Sequence, residues 1–272
     1  MNALAIVYAV AALGGIAVVF GLVLTFADKV FAVPVDERVA QVRAALPGAN
    51  CGACGFAGCD AFAEAVVDGR APVSGCTPGG QTSATAIAAI MGTDAVQMQP
   101  LVAKVICQGE VGVSKERYQY DGMRSCKMAS DTVGGPKKCP YACIGLGDCV
   151  QVCAFDALHI ENGIAVVNED NCTACGLCQA TCPRRSIQLR PRSANIIVRC
   201  QNRDSGRLAR DECMKACIAC KRCEKACNFD AIHVSDGFAL IDNNKCTRCG
   251  ECVKVCPMKC ITMDEVKVPV EV

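Results

Sequence analysis

The chain has 272 residues, a formal net charge of +1 and 25 cysteines, and only 4% of its residues are aromatic. This length suits roughly two or three compact domains, and small domains with so little aromatic bulk need disulfides or metal for stability. The near-neutral charge indicates no particular partner, and the odd number and tight clustering of the cysteines argue against a disulfide framework.

The segment from Ala3 to Ala27 contains no charged residue. A helix of that length spans about 37 Å, enough to cross a hydrocarbon core of about 30 Å with some tilt. A cleaved signal peptide fits less well, because no Lys or Arg precedes the apolar run and no clear cleavage site follows it. We therefore predict a single-pass anchor over 1–28 in the inner (cytoplasmic) membrane. The rest of the chain should lie on the cytoplasmic side, because Lys29 and the next basic residues all follow the anchor.

A small cysteine-rich domain is predicted over 33–95. Pro34 and Asp36 open a short helix, ERVAQVRAAL, that stops at Pro47, and a second helix is expected over 81–91. Four cysteines between them surround a glycine-rich loop: Cys51, Cys54, Cys59 and Cys76. Backbone N–H groups at the glycines can approach sulfides, which favours a [4Fe–4S] cluster, although four thiolates also suit zinc.

A connecting region with one or two strands is predicted over 96–134, and it holds two isolated cysteines, Cys107 and Cys126. From residue 135 onward the sequence is an internal duplication with a period of 74 residues. The stretch CAFDALHIENGIAVVNEDNC, which begins at Cys153, aligns without a gap with CNFDAIHVSDGFALIDNNKC, which begins at Cys227.

Each copy predicts a strand hairpin between two groups of cysteines, 158–160 with 164–167 and 232–234 with 238–241. We therefore predict two tandem ferredoxin-like domains, over 135–192 and 205–265. The predicted fold class is α+β, with an N-terminal transmembrane helix and a small [4Fe–4S] domain ahead of the two copies.

The second cysteine group in each copy has the spacing of bacterial [4Fe–4S] ferredoxins, C-x2-C-x2-C-x3-C-P. Three thiolates with two residues between neighbours wrap three corners of a cubane. Zinc instead prefers two CxxC pairs separated by a longer linker. In the first copy we predict one cluster on Cys139, Cys143, Cys149 and Cys182 and another on Cys153, Cys172, Cys175 and Cys178. In the second copy we predict one on Cys217, Cys220, Cys223 and Cys256 and another on Cys227, Cys246, Cys249 and Cys252.

Two points stay open at this level. The repeat alignment favours Cys213 over Cys220 as a ligand, whereas the ordinary ferredoxin spacing favours Cys220. Five clusters of four ligands leave five of the 25 cysteines: Cys107, Cys126, Cys200, Cys213 and Cys260. Cys126 and Cys200 also match across the 74-residue repeat. The remaining thiols are either buried small residues or part of a sixth cluster.

Basic residues are concentrated between Arg184 and Lys225, where twelve Lys or Arg stand against four Asp or Glu. The excess is either a solvated face that offsets the cluster charge or a docking surface for an acidic electron carrier. No nucleic-acid recognition motif accompanies it, and no GxGxxG loop follows a strand. We therefore expect no nucleic-acid binding, no nicotinamide or flavin site, and no catalytic residue on this chain.

The order of these modules, an apolar helix, then CGACGFAGC with Cys76 downstream, then ferredoxin motifs, resembles the B subunits of Rnf complexes over essentially the whole chain. The resemblance implies an electron-transfer subunit of a membrane complex that oxidises reduced ferredoxin, reduces NAD⁺ and translocates Na⁺ or H⁺. Its implied partners are soluble ferredoxin, a flavin- and NAD-binding subunit, the other subunits and membrane lipid. The alternatives are a polyferredoxin-type carrier of another membrane redox complex, such as a hydrogenase, and a zinc-rich structural protein.

Overall fold

The computed structural model describes residues 3–30, 36–94 and 96–264. Several predicted features lie outside the described residues: Pro34, the outermost residues of the predicted anchor (1–2), and the limits at 33, 95 and 265 of the two predicted domains. The described chain mixes helices with short two-stranded sheets.

The apolar N-terminal segment forms helix α1 over Ala3–Val30. Its side chains are described at residue 8, over 11–27 and at residue 29. The large apolar ones are exposed, with Leu13 68%, Phe20 63% and Phe26 70% accessible. Within the part of the chain that the structure describes, no helix is long and apolar enough to cross a membrane. The predicted membrane-spanning anchor is therefore not confirmed and stays a prediction.

Three helices form a small unit after α1. They are α2 over Glu37–Ala44, α3 over Cys59–Val67 and α4 over Gly80–Met91. The carboxylate of Asp36 accepts a hydrogen bond from the Arg38 backbone N–H at 2.9 Å and caps α2. The helices pack around Val42, Phe62 and Ile87, whose accessibility does not exceed 1%.

The first copy and the region before it contain four strands and three short helices. In chain order these are β1 over Leu101–Val105, α5 over Cys126–Val133, α6 over Asp148–Gln151, β2 over Leu158–Glu161, β3 over Ile164–Val167, α7 over Leu177–Thr181 and β4 over Ile187–Pro191. The predicted hairpin is confirmed as β2–β3, with Leu158 opposite Val167. Strand β1 pairs antiparallel with β4, with Val105 opposite Ile187.

The second copy repeats this arrangement. Its elements are β5 over Ile196–Val198, α8 over Gly206–Glu212, α9 over Arg222–Lys225, β6 over Ile232–Ser235, β7 over Phe238–Ile241, α10 over Glu251–Lys254 and β8 over Ile261–Met263. Strands β6 and β7 form the predicted hairpin, and β5 pairs antiparallel with β8. A strand in the connecting region was predicted, and β1 is that strand; its pairing with β4, which makes it part of the first copy's sheet, was not predicted.

Backbone hydrogen bonds join the two copies along the segment 113–117. Lys115 N–H donates to the Glu212 carbonyl at 2.9 Å, and Met214 N–H donates to the Val113 carbonyl at 3.0 Å. On the other side, Lys138 N–H donates to the Lys115 carbonyl at 2.7 Å. One segment thus pairs with both copies at once and fixes their relative position.

A buried ionic network also joins the copies. Lys104 lies on β1, its side chain is 5% exposed, and its ammonium contacts the carboxylates of Glu169 and Asp264, the latter at 3.3 Å. Arg199 pairs with Asp264 at 2.8 Å and donates to the Val105 carbonyl at 3.1 Å. Burial opposes ionisation of Asp264, but hydrogen bonding to Arg199 and the charges of Arg199 and Lys104 outweigh it and hold the pKa of this carboxyl below its usual value.

Candidate metal centres

Cysteine hydrogen bonds show how the two copies superpose. The backbone N–H of Cys143 donates to the sulfur of Cys107 at 3.4 Å, and that of Cys217 donates to the sulfur of Cys200 at 3.2 Å. Because Cys143 and Cys217 are equivalent at an offset of 74 residues, Cys107 is the structural counterpart of Cys200. The predicted match of Cys126 with Cys200 is wrong, because the constant offset does not hold ahead of the first ligand loop.

An insertion in the first copy explains this difference. Cys107 and Cys139 are 139 − 107 = 32 positions apart, whereas Cys200 and Cys213 are 213 − 200 = 13 positions apart. The sequence does contain a signal of the correct match. A Cys-Gln dipeptide lies one residue beyond the end of β1, and another lies one residue beyond the end of β5. The residues inserted after the first of these dipeptides contain α5, which begins at Cys126.

Helix α5 is attached to the first copy by its N-terminus. The hydroxyl of Ser125 accepts a hydrogen bond from Met128 N–H at 3.3 Å and caps the helix. The carboxylate of Asp148, the first residue of α6, accepts from Cys126 N–H at 2.8 Å and from Lys127 N–H at 3.0 Å. A negative charge at this position satisfies free N–H donors at a helix N-terminus and fixes Cys126 against the ligand loop.

The first cavity lies in this part of the first copy. It has a volume of about 330 Å³ and is lined by four cysteines, Cys126, Cys143, Cys149 and Cys182. Burial, together with the nearby thiols of Cys143, Cys126 and Cys182, raises the pKa of Cys149 to about 12. Cys139, predicted as a ligand here, is not among the lining residues. Leu146 stands where the second copy has Cys220, and Cys126 comes to the cavity from the insertion instead.

The second cavity lies on the other side of the first copy. It has a volume of about 310 Å³ and is lined by the four cysteines that were predicted together, Cys153, Cys172, Cys175 and Cys178. Backbone N–H groups already point at two of the sulfurs: Ala157 donates to Cys153 at 3.4 Å and Ala103 donates to Cys172 at 3.4 Å. Donors of this kind stabilise thiolates that carry the negative charge of a cluster.

A third cavity lies between the two copies, and three of its four cysteines are among the five that the sequence left open as part of a sixth cluster. It has a volume of about 340 Å³ and is lined by four cysteines, Cys107, Cys139, Cys200 and Cys213. Gly109 N–H donates to Cys107 at 3.2 Å, and the Asn202 amide donates to Cys139 at 3.4 Å. Each copy contributes two thiols from equivalent positions, one that follows its first strand and one that lies four residues before its first ligand loop.

The second copy brings together its two predicted sets. Burial, together with the neighbouring thiols of Cys217, Cys220 and Cys256, raises the pKa of Cys223 to about 11. Burial, together with Cys246, Cys249 and Cys227, likewise raises the pKa of Cys252 to about 11. Cys220 therefore lies with the loop cysteines, whereas Cys213 lines the cavity between the copies.

Cys260 has a counterpart that is not a cysteine. Its sulfur is 3.5 Å from the sulfur of Cys256, and its side chain is buried. At the equivalent place in the first copy, 74 residues earlier, the hydroxyl of Ser186 is 3.3 Å from the sulfur of Cys182. A hydroxyl in one copy and a thiol in the other indicate a hydrogen-bonding role beside a ligand.

The four N-terminal cysteines also lie together. Burial raises the pKa of Cys76, and the thiols of Cys59, Cys54 and Cys51 raise it further. A Cβ atom on Gly79 would lie 3.2 Å from the sulfur of Cys76, so the backbone approaches this thiol closely. The side-chain oxygen of Asn50 accepts from Cys59 N–H at 2.8 Å and holds the start of α3 beside the loop.

Neighbouring cysteine sets influence one another along a continuous series. Besides burial, Cys51 of the N-terminal unit contributes to the raised pKa of Cys175, and Cys178 contributes to that of Cys149. Through the contacts of Cys107 with Cys143 and of Cys200 with Cys217, the cavity between the copies adjoins both ferredoxin-like units. The sets therefore follow one another from the N-terminal unit to the second copy.

The donor chemistry of these sets fits iron–sulfur clusters. Within the described ranges, no group of three or more His, Cys, Asp or Glu side chains is arranged to hold a single metal ion. The three cavities are similar in size, and each is lined by four thiols, the ligand number of a [4Fe–4S] cubane. Each also has one buried polar atom with no hydrogen-bond partner among the described residues: Ser114 Oγ, Thr173 Oγ1 and Arg184 Nε. Cluster sulfides would accept from these donors.

Family models match three parts of the chain. The model described as "Putative Fe-S cluster" matches residues 46–78, "4Fe-4S binding domain" matches 165–188, and "4Fe-4S dicluster domain" matches 216–261. These matches leave 79–164 and 189–215 uncovered, which include the cavity between the copies.

Curated relatives align over most of the chain. The B subunit of the Na(+)-translocating ferredoxin:NAD(+) oxidoreductase complex of Acetobacterium woodii is 48% identical over 96% of this chain and 78% of its own length. The B subunit of the ion-translocating oxidoreductase complex of Methanosarcina acetivorans is 41% identical over 95% and 98%. The B subunit of the proton-translocating ferredoxin:NAD(+) oxidoreductase complex of Clostridium ljungdahlii is 37% identical over 89% and 87%.

Proposed function

Since the chain belongs to the family of B subunits of ion-translocating ferredoxin:NAD(+) oxidoreductase complexes, we propose that it is the multi-cluster electron relay of such a complex. It carries ferredoxin-type [4Fe–4S] domains, so its chemistry is one-electron transfer between clusters. The two-electron reduction of a nicotinamide falls to a flavin- and NAD-binding partner in the complex, and this chain has no catalytic residue of its own.

The proposed relay holds six clusters rather than five. The observation that carries this is the cavity between the copies, with its four thiols and an unpartnered Ser114 hydroxyl. The proposed ligands of this cluster are Cys107, Cys139, Cys200 and Cys213. In the first copy Cys126 replaces Cys139 in the set with Cys143, Cys149 and Cys182; the other four sets are those expected from the sequence. Cys260 is then the one cysteine left without a cluster.

The series of cysteine sets supports an order for the relay. Electrons would pass between the second copy and the N-terminal unit by way of the cluster between the copies and then the two clusters of the first copy. Without the cluster between the copies, the two ferredoxin-like units would be separate pairs. The five-cluster alternative therefore leaves a gap in the middle of the relay, which the six-cluster arrangement fills.

Membrane attachment and partners complete the proposal. The uncharged run from Ala3 to Ala27 and the exposed apolar side chains of α1 support a single membrane anchor with the cluster units on the cytoplasmic side. Soluble ferredoxin would donate the electrons, and the other subunits would receive them. The coupling ion would not cross through α1, because its uncharged run contains no Asp, Glu, Lys, Arg or His.

The first test is iron, zinc and acid-labile sulfide per chain in the full-length protein purified anaerobically. We expect about 24 Fe with matching sulfide. The variants Cys139→Ser and Cys213→Ser should each lose about four Fe, while Cys260→Ala should lose none. About 20 Fe in the unaltered protein, with no change in either serine variant, would overturn the sixth cluster. Zinc without sulfide would overturn the relay itself.

A further inference from the structure

We propose, on the basis of the electron-relay function, that the basic surface of the second copy that exposes Cys220 and Cys249 is the docking surface for a soluble, acidic iron–sulfur carrier protein. All 25 cysteines lie in the described part of the chain, and Cys220 and Cys249 are the two that are exposed. They belong to the two cluster sets of the second copy, at the end of the series remote from Cys51. The other proposed ligands are half-buried or buried, so an approaching carrier meets exposed cluster ligands only here.

The duplication supplies an internal reference for the charge of this face. Within five residues of Cys220 or Cys249, in 215–225 and 244–254, there are seven Lys or Arg residues. The equivalent segments of the first copy, 141–151 and 170–180, contain none, and each pair of segments contains two acidic residues. Both copies keep the same hairpin and cysteine grouping, so the fold does not require the additional positive charge.

Much of this charge is free to act on a partner. Lys245 pairs with Asp230 at 2.9 Å and Lys254 pairs with Glu251 at 2.7 Å. By contrast, none of the ion pairs found among the described residues involves Lys221, Arg222 or Arg248, and all three are exposed. These side chains stand next to or within two residues of the two exposed cysteines, so positive charge without an ion-pair partner lies where the clusters reach the surface.

The charge has a physical function in the encounter. A [4Fe–4S] cluster on four thiolates is anionic, so two such clusters repel one another as their proteins approach. A basic rim offsets this repulsion and raises the rate of encounter with an acidic carrier, an effect that falls with ionic strength. In the transfer itself, one electron leaves the carrier's reduced cluster and enters a cluster of the second copy; no bond forms or breaks and no proton moves.

The test is a stopped-flow measurement of reduction of the full chain by a reduced acidic bacterial ferredoxin. The variant Arg222→Glu/Lys225→Glu changes two exposed residues of α9 that the first copy has as Asp148 and Gln151. The matched control, Arg207→Glu/Arg210→Glu, changes two exposed residues at the same i, i+3 spacing on α8 and alters the net charge equally. Iron content and reduction by dithionite should be unchanged in both variants.

We expect the α9 variant to lower the second-order rate constant about tenfold at low salt and to flatten its dependence on salt, with a much smaller change in the α8 control. Equal losses in both variants would show an effect of net charge alone and overturn the localised surface. Equal rates in all three proteins would also overturn it while leaving the relay intact. Failure of reduced ferredoxin to reduce the unaltered chain would instead refute the proposed function.

Discussion

The two ferredoxin-like copies have the same strands and the same grouping of cysteines, but they complete their first cluster set from different places. In the second copy Cys220 stands inside the ligand loop at ordinary spacing, whereas the first copy has Leu146 there and brings Cys126 from an insertion. Asp148, which holds α5 against the loop, is Arg222 in the second copy. The comparison teaches that a set of four thiols around the first ligand loop, rather than the loop sequence, is what the two halves of the duplication share.

Removing the inserted ligand should have the largest effect. We expect Cys126→Ala to lose about four Fe per chain and to stop electron transfer from the second copy to the N-terminal unit, because the clusters act in series. Iron analysis and freeze-quench Mössbauer or EPR spectroscopy would measure this. Cys260→Ala is the control and should keep every cluster. An unchanged iron content in Cys126→Ala would mean that Cys139, and not Cys126, is the fourth ligand of the cluster with Cys143, Cys149 and Cys182.

Moving the ligand back into the loop should reverse that loss. In the background of Cys126→Ala, the additional change Leu146→Cys recreates the spacing of Cys217, Cys220 and Cys223 in the first copy. We expect the iron content and the first copy's EPR signal to return. If the double variant still lacks about four Fe, a cysteine at position 146 cannot replace Cys126. The first ligand loops of the two copies are then not interchangeable.

Substitution of Lys104 should have an effect of intermediate size. The corresponding residue on β5 is Ile197, so Lys104→Ile makes the two strands alike at this position. Lys104→Ile leaves Glu169 and Asp264 without their shared ammonium, and loss of one partner from a largely buried ion network costs about 2–3 kcal/mol. We expect the visible cluster absorbance to be lost at a lower guanidinium concentration. A conservative Lys104→Arg should stay closer to the unaltered protein, and an unchanged midpoint for Lys104→Ile would show that the network adds no stability.

Exchanging Ser186 and Cys260 should have the smallest effect. A ligand thiolate carries no proton, so in the loaded protein Ser186 donates to Cys182 and Cys260 donates to Cys256, and a donor to sulfur raises the reduction potential. Because a hydroxyl donates more strongly than a thiol, Cys260→Ser should raise the potential of its cluster and Ser186→Cys should lower it. We expect reduction-potential shifts on the order of tens of mV, which correspond to a fraction of the free energy of one hydrogen bond. EPR-monitored titration would detect them, and shifts of the opposite sign would contradict the assigned donors.

Sequence reasoning succeeded where the information is local. The hairpins at 158–167 and 232–241 follow from alternating apolar residues around a turn with Gly163 or Gly237, and the structure has them. Pairing of β1 with β4 was not predicted, because the two strands are separated by about eighty residues and neither has a distinctive pattern.

The ligand set of the cavity between the copies was only partly predicted, for a related reason. A sixth cluster was left open among the unassigned cysteines, but Cys139 was not one of them. A constant 74-residue offset was carried across an insertion, which aligned Cys200 with Cys126 instead of Cys107. The Cys-Gln dipeptides that follow β1 and β5 carry the correct alignment. They are too short to outweigh a long gapless match, and only the folded chain brings Cys107, Cys139, Cys200 and Cys213 to one place.

The cavity between the copies draws two thiols from each, so neither copy can complete that site alone. If the copies were separate molecules, they would have to form a two-fold dimer before the third and fourth thiols arrived, and occupancy would depend on protein concentration. Joining them in one chain replaces that encounter with a high effective concentration set by the short link between β4 and β5. The middle of the relay therefore assembles with the same stoichiometry however dilute the protein is.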